Sequence, residues 1–257
     1  MKIVSVFSRK GGVAKTTTAA NLAAALAAAG DRVLAVDADS QGHLAIALGV
    51  DRVPLFSSWA MGGDLLSLDV VMDQPTLPAS WTDPASVAVH VALVAGDNES
   101  LRIDLTPAEV DDLACRLRKE AAELGADWVI IDSPAIGCLQ DFAVKAADIV
   151  ILPAPCHFLG ASGALDARAL VRALNPSAHV LGLPTMYDRR LRDGRHWLQT
   201  LGVHFGEMLP AIPHRVAVAE SLAVGLPVVL SKPADQAGQA YLAAADGLRA
   251  ACLLEVA

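Results

Sequence analysis

Residues 10–17 have the sequence Lys10-Gly11-Gly12-Val13-Ala14-Lys15-Thr16-Thr17, and this stretch decides the fold of the 257-residue chain. A loop that binds nucleotide phosphates needs bare backbone N–H groups, a lysine for the β- and γ-phosphates and a hydroxyl for Mg²⁺. Gly11 and Gly12 supply the backbone, Lys15 the charge and Thr16 the hydroxyl. The stretch therefore predicts a nucleoside triphosphate site, with Lys10 as an additional lysine that a single loop does not require.

The residues on both sides of this loop provide the context that a phosphate site needs. The apolar run Ile3–Phe7 predicts a buried strand, and Thr16–Ala29 predicts an alanine-rich helix that ends at Gly30. The helix N-terminus would then face the phosphates, where its dipole favours negative charge. The alternative is a glycine-rich turn between strand and helix that binds nothing.

Apolar runs alternate with helical patterns along the rest of the chain, which predicts an α/β fold with a mostly parallel twisted sheet and helices on both faces. Further strands are expected at Val33–Val36, Ala88–Val94, Trp128–Ile131, Ile149–Leu152, Val180–Leu183 and Val228–Leu230. The clearest helix covers residues 106–124, with Thr106 and Glu109 as a capping box. We expect one domain over residues 1–257, with an irregular insertion of short helices and loops at about residues 51–84.

Three aspartates follow predicted strands, where ligands of a parallel sheet bind. Asp37 and Asp39 come directly after the second strand, and Asp132 ends the run that starts at Trp128. Carboxylates in these places can complete a magnesium shell and orient an attacking water molecule. The alternative for Asp37 and Asp39 is that they cap a helix starting near His43.

The loop with its early lysine resembles the deviant Walker A motif of the ParA/MinD family of ATPases. The segments Asp37–Gly42 and Asp132–Ala135 resemble the two switch motifs of that family, with Ser40 and Ala135 replacing prolines. The resemblance implies that Lys10 reaches the partner's ATP in a homodimer and that Asp39 positions or activates the water. It implies nucleotide contacts from Lys10, Gly11, Gly12, Val13, Ala14, Lys15, Thr16 and Thr17, catalytic roles for Lys10, Lys15 and Asp39, and Mg²⁺ contacts from Thr16, Asp37 and Asp132.

Later segments also resemble the family, because residues 184–188 and 212–215 match regions that surround the adenine base in relatives. By this resemblance, Met186 and Pro213 are expected to contact the base. The family moves plasmids, chromosomes or protein cargo by binding DNA nonspecifically as ATP dimers. A ParB-like or cargo-bound activator would then accelerate a slow hydrolysis.

The charge pattern bears on the DNA expectation, since the chain has a net charge of −8. A DNA partner would have to meet a local basic patch, and residues 160–200 contain six arginines against three aspartates. The expected DNA contacts are Arg189, Arg190, Arg192, Arg195 and Arg215. The alternative is a solvated helix face whose arginines cover apolar surface.

Composition weighs against several other classes of protein. The four cysteines lack C-x-x-C spacing, which favours free thiols in a cytoplasmic protein, and the resemblance implies association with the nucleoid. Neither a signal peptide nor a membrane helix is expected, and residues 239–257 lack the cationic face that a MinD-like membrane anchor needs. Iron-protein reductases require differently placed cysteines, and a ligase of the dethiobiotin-synthetase kind would leave Lys10 without a role.

Overall fold

The computed structural model describes residues 1–51, 55–65, 67–73 and 88–254 of the chain. Its strands are β1 (Lys2–Val6), β2 (Val33–Asp37), β3 (Leu68–Asp73), β4 (Ala88–Val94), β5 (Trp128–Asp132), β6 (Ile149–Pro155) and β7 (His179–Thr185). Its helices are α1 (Lys15–Ala28), α2 (His43–Ala47), α3 (Phe56–Ala60), α4 (Pro107–Glu123), α5 (Cys138–Lys145), α6 (Phe158–Leu174), α7 (Arg192–Phe205), α8 (Val216–Ala223), α9 (Val228–Ser231) and α10 (Gln236–Leu254). A 3-10 helix covers Asn98–Arg102.

The seven strands form one sheet in the order β3-β4-β2-β5-β1-β6-β7. All neighbours pair in parallel except β3, which is antiparallel to β4. The predicted α/β fold with a mostly parallel sheet is thereby confirmed. Because β1 lies between β5 and β6, with β2 beyond β5, the carboxyl ends of the central strands place Asp37, Asp132 and the loop at Lys10 side by side.

Helices cover both faces of the sheet because alternate strand residues point to opposite sides. Val4 and Val6 of β1 belong to the core beneath α1 and α10, whereas Ile3 belongs to the core beneath α4 and α5. A third apolar cluster lies under α6 and α7 and includes Phe7 and Leu152. The central strands are buried on both faces, which explains their continuous apolar runs.

The predicted capping box of α4 is confirmed. The Thr106 side chain accepts a hydrogen bond from the Glu109 N–H, and the Glu109 carboxylate accepts one from the Thr106 N–H. These bonds satisfy two backbone donors that a helix N-terminus otherwise leaves unpaired. Beyond the other end of α4, Gly125 has a φ of 73°, a conformation that favours glycine.

One predicted strand is wrong, because Val228–Leu230 lies in the short helix α9. A run of three apolar residues does not distinguish a strand from a buried helical turn. Here the Val229 N–H donates to Oδ1 of the buried Asn21 on α1, and all three residues are fully buried. Packing against α1 therefore decides the conformation.

The region at 51–84 contributes more to the sheet than the predicted short helices and loops. Its described residues include α3 and the edge strand β3, which pairs with β4 over Leu68–Asp73. β3 places Val70 and Met72 in the core and leaves Val71 exposed, the alternation of a strand with one covered face. Residues 52–54, 66 and 74–87, where the rest of the predicted insertion falls, lie outside the described residues.

Candidate nucleotide-binding site

A cavity of about 540 Å³ opens at the carboxyl edge of the sheet. One wall is the loop between β1 and α1, which contributes Gly11, Gly12 and residues 14–17. The other lining residues come from the segment after β2, from the end of β7, from residues 212–222 and from Tyr241 of α10. The structure thus brings most of the predicted nucleotide residues to one cleft.

The loop of residues 10–14 holds a conformation that exposes its backbone to the cleft. Gly12 has a φ of 71°, and a Cβ added at Gly11 or Gly12 would meet nothing within 4 Å. Ala14 has a φ of 75°, a left-handed conformation that costs an alanine about 1 kcal/mol. The Val13 carbonyl accepts a bond of 3.3 Å from the Thr185 hydroxyl, which ties the loop to the end of β7.

The two lysines of the loop point in different directions. Lys15 is buried, and its Nζ donates to the Lys10 carbonyl at 3.1 Å within the loop. Lys10 extends away from its own cavity, and its Nζ donates to the Leu159 carbonyl at 2.6 Å in the first turn of α6. The cavity is lined by Lys15 and not by Lys10.

Asp132 ends β5 directly beside β1 and is almost completely buried. Neither of its carboxylate oxygens has a hydrogen-bond partner among the described residues. Burial raises the pKa of Asp132 to about 7, against the opposing influence of the Thr16 hydroxyl and the Lys15 ammonium. A buried carboxylate without donors, next to a hydroxyl and at a phosphate loop, has the donor chemistry of a magnesium site.

Asp37 is the sheet neighbour of Asp132 and is fully buried. Its carboxylate accepts hydrogen bonds from the Asp39 N–H at 3.1 Å and the Leu44 N–H at 3.0 Å. Asp37 therefore binds the first turn of α2, as the capping alternative predicts. Burial and the charge of Asp132 together raise the pKa of Asp37 well above its ordinary value.

Asp39 lies where two cavities meet. Its half-buried side chain accepts a bond from the Gln41 N–H at 3.1 Å. It lines the nucleotide cavity and also a second cavity of about 450 Å³ between the segments at 38–41 and 134–139. The rim of this second cavity includes the exposed side chains of Leu101 and Ile136.

The segment after Asp132 is held by side-chain bonds that sequence analysis misses. The Ser133 hydroxyl donates to the Val6 carbonyl at 2.9 Å. The amide of Gln140, near the start of α5, donates to the Ala135 carbonyl at 2.7 Å. Ala135 replaces a proline of the motif that this segment resembles, and the Gln140 bond restrains the backbone there. No sequence signal marks Gln140, because its role depends on how α5 folds back.

The far end of the cleft is formed where the segment after β7 meets residues 212–213. Met186 follows β7 with a φ of 53°, which is unusual for a residue other than glycine. Tyr187 pairs with Pro213, and its N–H donates to the Ile212 carbonyl at 3.0 Å. Met186 and Pro213, the residues expected to contact the base, both line the cavity.

The five predicted DNA-contacting arginines are all exposed, but they differ in their partners. Arg190 binds Asp188 at 2.7 Å, and this bond lowers the pKa of Asp188 to about 2. Arg215 lines the nucleotide cavity and binds Asp235 at 3.0 Å. Arg195 donates to a backbone carbonyl at 3.4 Å. Arg189 and Arg192 form no ion pair with any described residue.

Two of the arginines counted in the basic segment lie outside this group. Arg168 of α6 is half-buried, with its guanidinium 5.7 Å from the centre of the Phe205 ring. That contact agrees with the alternative of arginines that cover apolar surface. Arg172, farther along α6, is exposed near its C-terminus.

Comparisons with known proteins agree with the geometry. A family model described as an AAA domain matches residues 1–178. The chromosome partitioning protein ParA of Caulobacter vibrioides is 31% identical over 254 residues, which cover 94% of this chain and 91% of that protein. The family model includes the loop at 10–17 and the three aspartates of the site, and the match to ParA extends over nearly the whole chain.

Solved structures share the fold over nearly the full length. Cobyrinic acid a,c-diamide synthase from Mycobacterium smegmatis, with bound ADP and magnesium, has a TM-score of 0.72 and 26% identity, covering 96% of this chain and 94% of that one. The septum site-determining protein MinD from Pyrococcus horikoshii, complexed with Mg-ADP, has a TM-score of 0.74 and 22% identity, covering 96% and 95%. In the described part of this chain, none of the helices has the length and apolar character to span a bilayer.

Proposed function

Since the chain belongs to the ParA family of P-loop ATPases, we propose that it binds ATP with Mg²⁺, forms an ATP-dependent homodimer and binds DNA nonspecifically. Slow, partner-stimulated hydrolysis of ATP to ADP and phosphate then releases the dimer. The cycle segregates a plasmid or chromosome, and residues 1–257 act as one ATPase domain. The observation that carries this proposal is the orphaned carboxylate of Asp132 beside Thr16 and Lys15.

The residues of the cleft fit ATP and Mg²⁺. The backbone N–H groups of residues 11–17 are available for phosphate oxygens at the start of α1, and Lys15 supplies a positive charge. Thr16 and Asp132 would hold Mg²⁺, with Asp37 supporting them from the neighbouring strand. The chemistry that Mg²⁺ supplies when bound is neutralisation of charge on the phosphates. Met186 and Pro213 would bind the base.

Asp39 is proposed to orient the attacking water. Phosphoryl transfer depends mainly on positioning and on charge stabilisation. Asp39 is half-buried in the cleft wall facing the loop, and its backbone N–H is fixed by Asp37. Its carboxylate is thus available to accept a proton or hydrogen bond from water, while Lys15, with Lys10 of a second copy, would balance the phosphate charge.

The surface around the cleft has the character of an interface with a second copy of the chain. Ile136, on the loop after β5, is 80% exposed, and Leu101, in the 3-10 helix, is 72% exposed; both border the second cavity. Phe158 and Leu159, next to the Lys10 ammonium, are also more than half exposed. Exposed apolar side chains grouped around a binding cleft are typical of an interaction surface. We therefore place the dimer interface on this edge of the sheet.

Sizing experiments with ATP and Mg²⁺ test the proposal. We expect a transient dimer for the wild type, a monomer for Lys10→Ala and a trapped dimer for Asp39→Ala. Nucleotide binding, followed with a fluorescent ATP analogue, should persist in both variants. A dimer that forms equally well without Lys10 would refute the role given to that lysine.

The DNA surface is proposed to comprise Arg189, Arg190, Arg192, Arg195 and Arg215. The first four precede or begin α7 after the carboxyl end of β7, on the edge of the sheet that contains the cleft. Cations directed at phosphates give binding that weakens steeply with salt. The Asp188 and Asp235 ion pairs would have to be exchanged for phosphate contacts.

A charge reversal of two arginines tests this surface. Arg190→Glu with Arg192→Glu should abolish ATP-dependent retention on DNA and leave ATP binding intact. Arg32→Glu is the matched control, because Arg32 is also exposed but precedes β2 at the opposite edge of the sheet. Retention that survives the double change, or that fails equally in the control, would contradict the assignment.

The activating partner is proposed to be a ParB-like protein or a protein bound to the cargo, and the ATP dimer is proposed to associate with the nucleoid. In the alternative form of this function the cargo is a protein assembly, and the same cycle would position that assembly. Imaging of a fluorescent fusion tests whether the dimer binds nucleoid DNA, since nucleoid association should require Lys10 and Arg192. A diffuse wild-type signal would contradict it.

The match to cobyrinic acid a,c-diamide synthase supports a second candidate, an ATP-dependent metabolic enzyme. Such an enzyme would need Lys15 and Asp132 but would gain nothing from Lys10. Comparison of the steady-state ATPase rates of the wild type and Lys10→Ala over a range of protein concentrations separates the two candidates. A rate per subunit that rises with concentration only in the wild type supports the dimer switch.

A further inference from the structure

The Lys10 side chain lies in a recess of its own subunit, and this recess exists because residue 163 is a glycine. A Cβ added at Gly163 of α6 would lie 2.6 Å from Cε, 2.7 Å from Cδ and 2.8 Å from Nζ of Lys10. These are the three atoms nearest to it, and all three distances are shorter than the contacts that Cβ atoms normally make in proteins. Lys10 therefore occupies the space that a side chain at position 163 would need.

The acceptor of the Lys10 ammonium is held in place by the first turn of α6. The Leu159 carbonyl receives the bond from Nζ at 2.6 Å. His157, the N-cap, accepts from the Gly160 N–H at 3.2 Å, and the Phe158 ring packs against Trp197 with centroids 5.6 Å apart. This turn is thus anchored both to itself and to α7.

The electrostatics of the recess are weak for a cation. Lys10 makes no ion pair within the described residues, and its ammonium lies at the N-terminal end of α6, where the helix dipole is positive. One carbonyl bond holds it against that field. An anion outside the recess would therefore compete effectively for the ammonium.

We propose that Gly163 is a positioning residue, which together with the Leu159 carbonyl forms a resting site for Lys10 in the free subunit. This inference rests on the proposed ATP-dependent dimer, in which Lys10 serves the second copy's nucleotide. Occupancy of the resting site stabilises the monomer, so the dimer forms only when the phosphates of a second copy outcompete the Leu159 carbonyl. The recess thus sets the threshold of the switch.

A double-mutant cycle on the nucleotide-free protein tests the resting site without reference to function. Gly163→Ala should raise the Tm by about 2–4 °C in the Lys10→Ala background, because alanine favours a helix interior. With Lys10 present the same change should give no gain, because the displaced lysine loses its contact. Gly202→Ala in α7, where the nearest atom is 3.4 Å away on Met208, should give the same Tm change in both backgrounds.

Equal effects of Gly163→Ala in the two backgrounds would overturn the resting site. The Lys10→Ala, Gly163→Ala protein keeps this test decisive, because the three crowded atoms are gone and the variant has no clash to prevent folding. The Tm measurements test the resting site whether or not the protein dimerises.

Sizing with ATP and Mg²⁺ tests the consequence for the switch. Loss of one hydrogen bond to a charged group changes an equilibrium by about tenfold, so Gly163→Ala should dimerise at roughly tenfold lower protein concentration. Gly202→Ala should match the wild type. If the Tm changes of Gly163→Ala and Lys10→Ala are coupled but Gly163→Ala dimerises at the same protein concentration as the wild type, the recess exists but does not regulate dimerisation. A wild type that stays monomeric would refute the proposed function and the threshold together, while the Tm cycle would still report on the recess.

Discussion

Replacement of Asp132 by asparagine is expected to stabilise the nucleotide-free protein in a pH-dependent way. The pKa of Asp132 is about 7 in the folded protein, against an ordinary value of 3.8. The folded state therefore holds a proton that the unfolded state has lost, and the wild type becomes less stable as pH rises from about 4 to about 7. Above pH 7 the cost levels off at about 4 kcal/mol.

The magnitude expected for Asp132→Asn follows from this cost. The wild-type penalty is about 4 kcal/mol at pH 8 but only about 2 kcal/mol at pH 5. A buried asparagine without partners costs about 1–3 kcal/mol at either pH. The variant should therefore gain stability at pH 8 and change little at pH 5. Loss of the Asp132 charge also lowers the pKa of Asp37, which acts in the same direction.

Urea unfolding at pH 5 and pH 8, in the presence of a chelator, measures this effect. The stability difference between variant and wild type should be about 2–3 kcal/mol larger at pH 8 than at pH 5. Asp166→Asn is the control, because Asp166 is exposed on α6. A difference that is the same at both pH values would refute the argument that Asp132 is a costly buried charge. The same variant should lose Mg²⁺-dependent ATP binding.

Three further substitutions test other local arguments. Thr106→Ala should cost about 1 kcal/mol in urea unfolding, because it removes the capping box of α4. Ala14→Gly should raise the stability of the nucleotide-free protein by up to about 1 kcal/mol, because glycine adopts a positive φ without strain; a loss of stability would contradict this. Gln140→Leu should release the Ala135 backbone and lower the ATPase rate with little change in ATP affinity, and equal losses of both would argue against a specific role.

The strand runs and the loop at Lys10 were sufficient to predict the sheet, because apolar runs buried on both faces have few alternatives. The failure at Val228–Leu230 has a local cause. Three apolar residues pack equally well in a strand or a helical turn, and the choice was made by Asn21, 208 residues away. β3 was missed because its pairing with β4 is antiparallel and lies at the sheet edge, where the crossover pattern gives no signal.

The acidic residues of the site could be predicted because the ends of parallel strands meet at one edge. Their individual environments could not be. Asp37 and Asp132 have the same position in neighbouring strands, yet within the described part of the chain Asp37 receives two backbone N–H groups and Asp132 receives none. That difference arises because α2 starts beside Asp37 and not beside Asp132. Likewise, the recess for Lys10 depends on Gly163, which is 153 residues away in sequence.

The nucleotide-free cleft contains several features that each cost stability. Among the described residues no donor reaches the buried carboxylate of Asp132, and Ala14 and Met186 have positive φ values. Such features persist only where the surrounding fold determines them, and they concentrate at functional sites. The cost of the buried Asp132 charge would be relieved by Mg²⁺, whereas the bond of Lys10 to the Leu159 carbonyl favours the free subunit. The free energy released when Mg²⁺ and ATP bind would then come partly from a cost already present in the free subunit, and part of it would be used to move Lys10 out of its resting site.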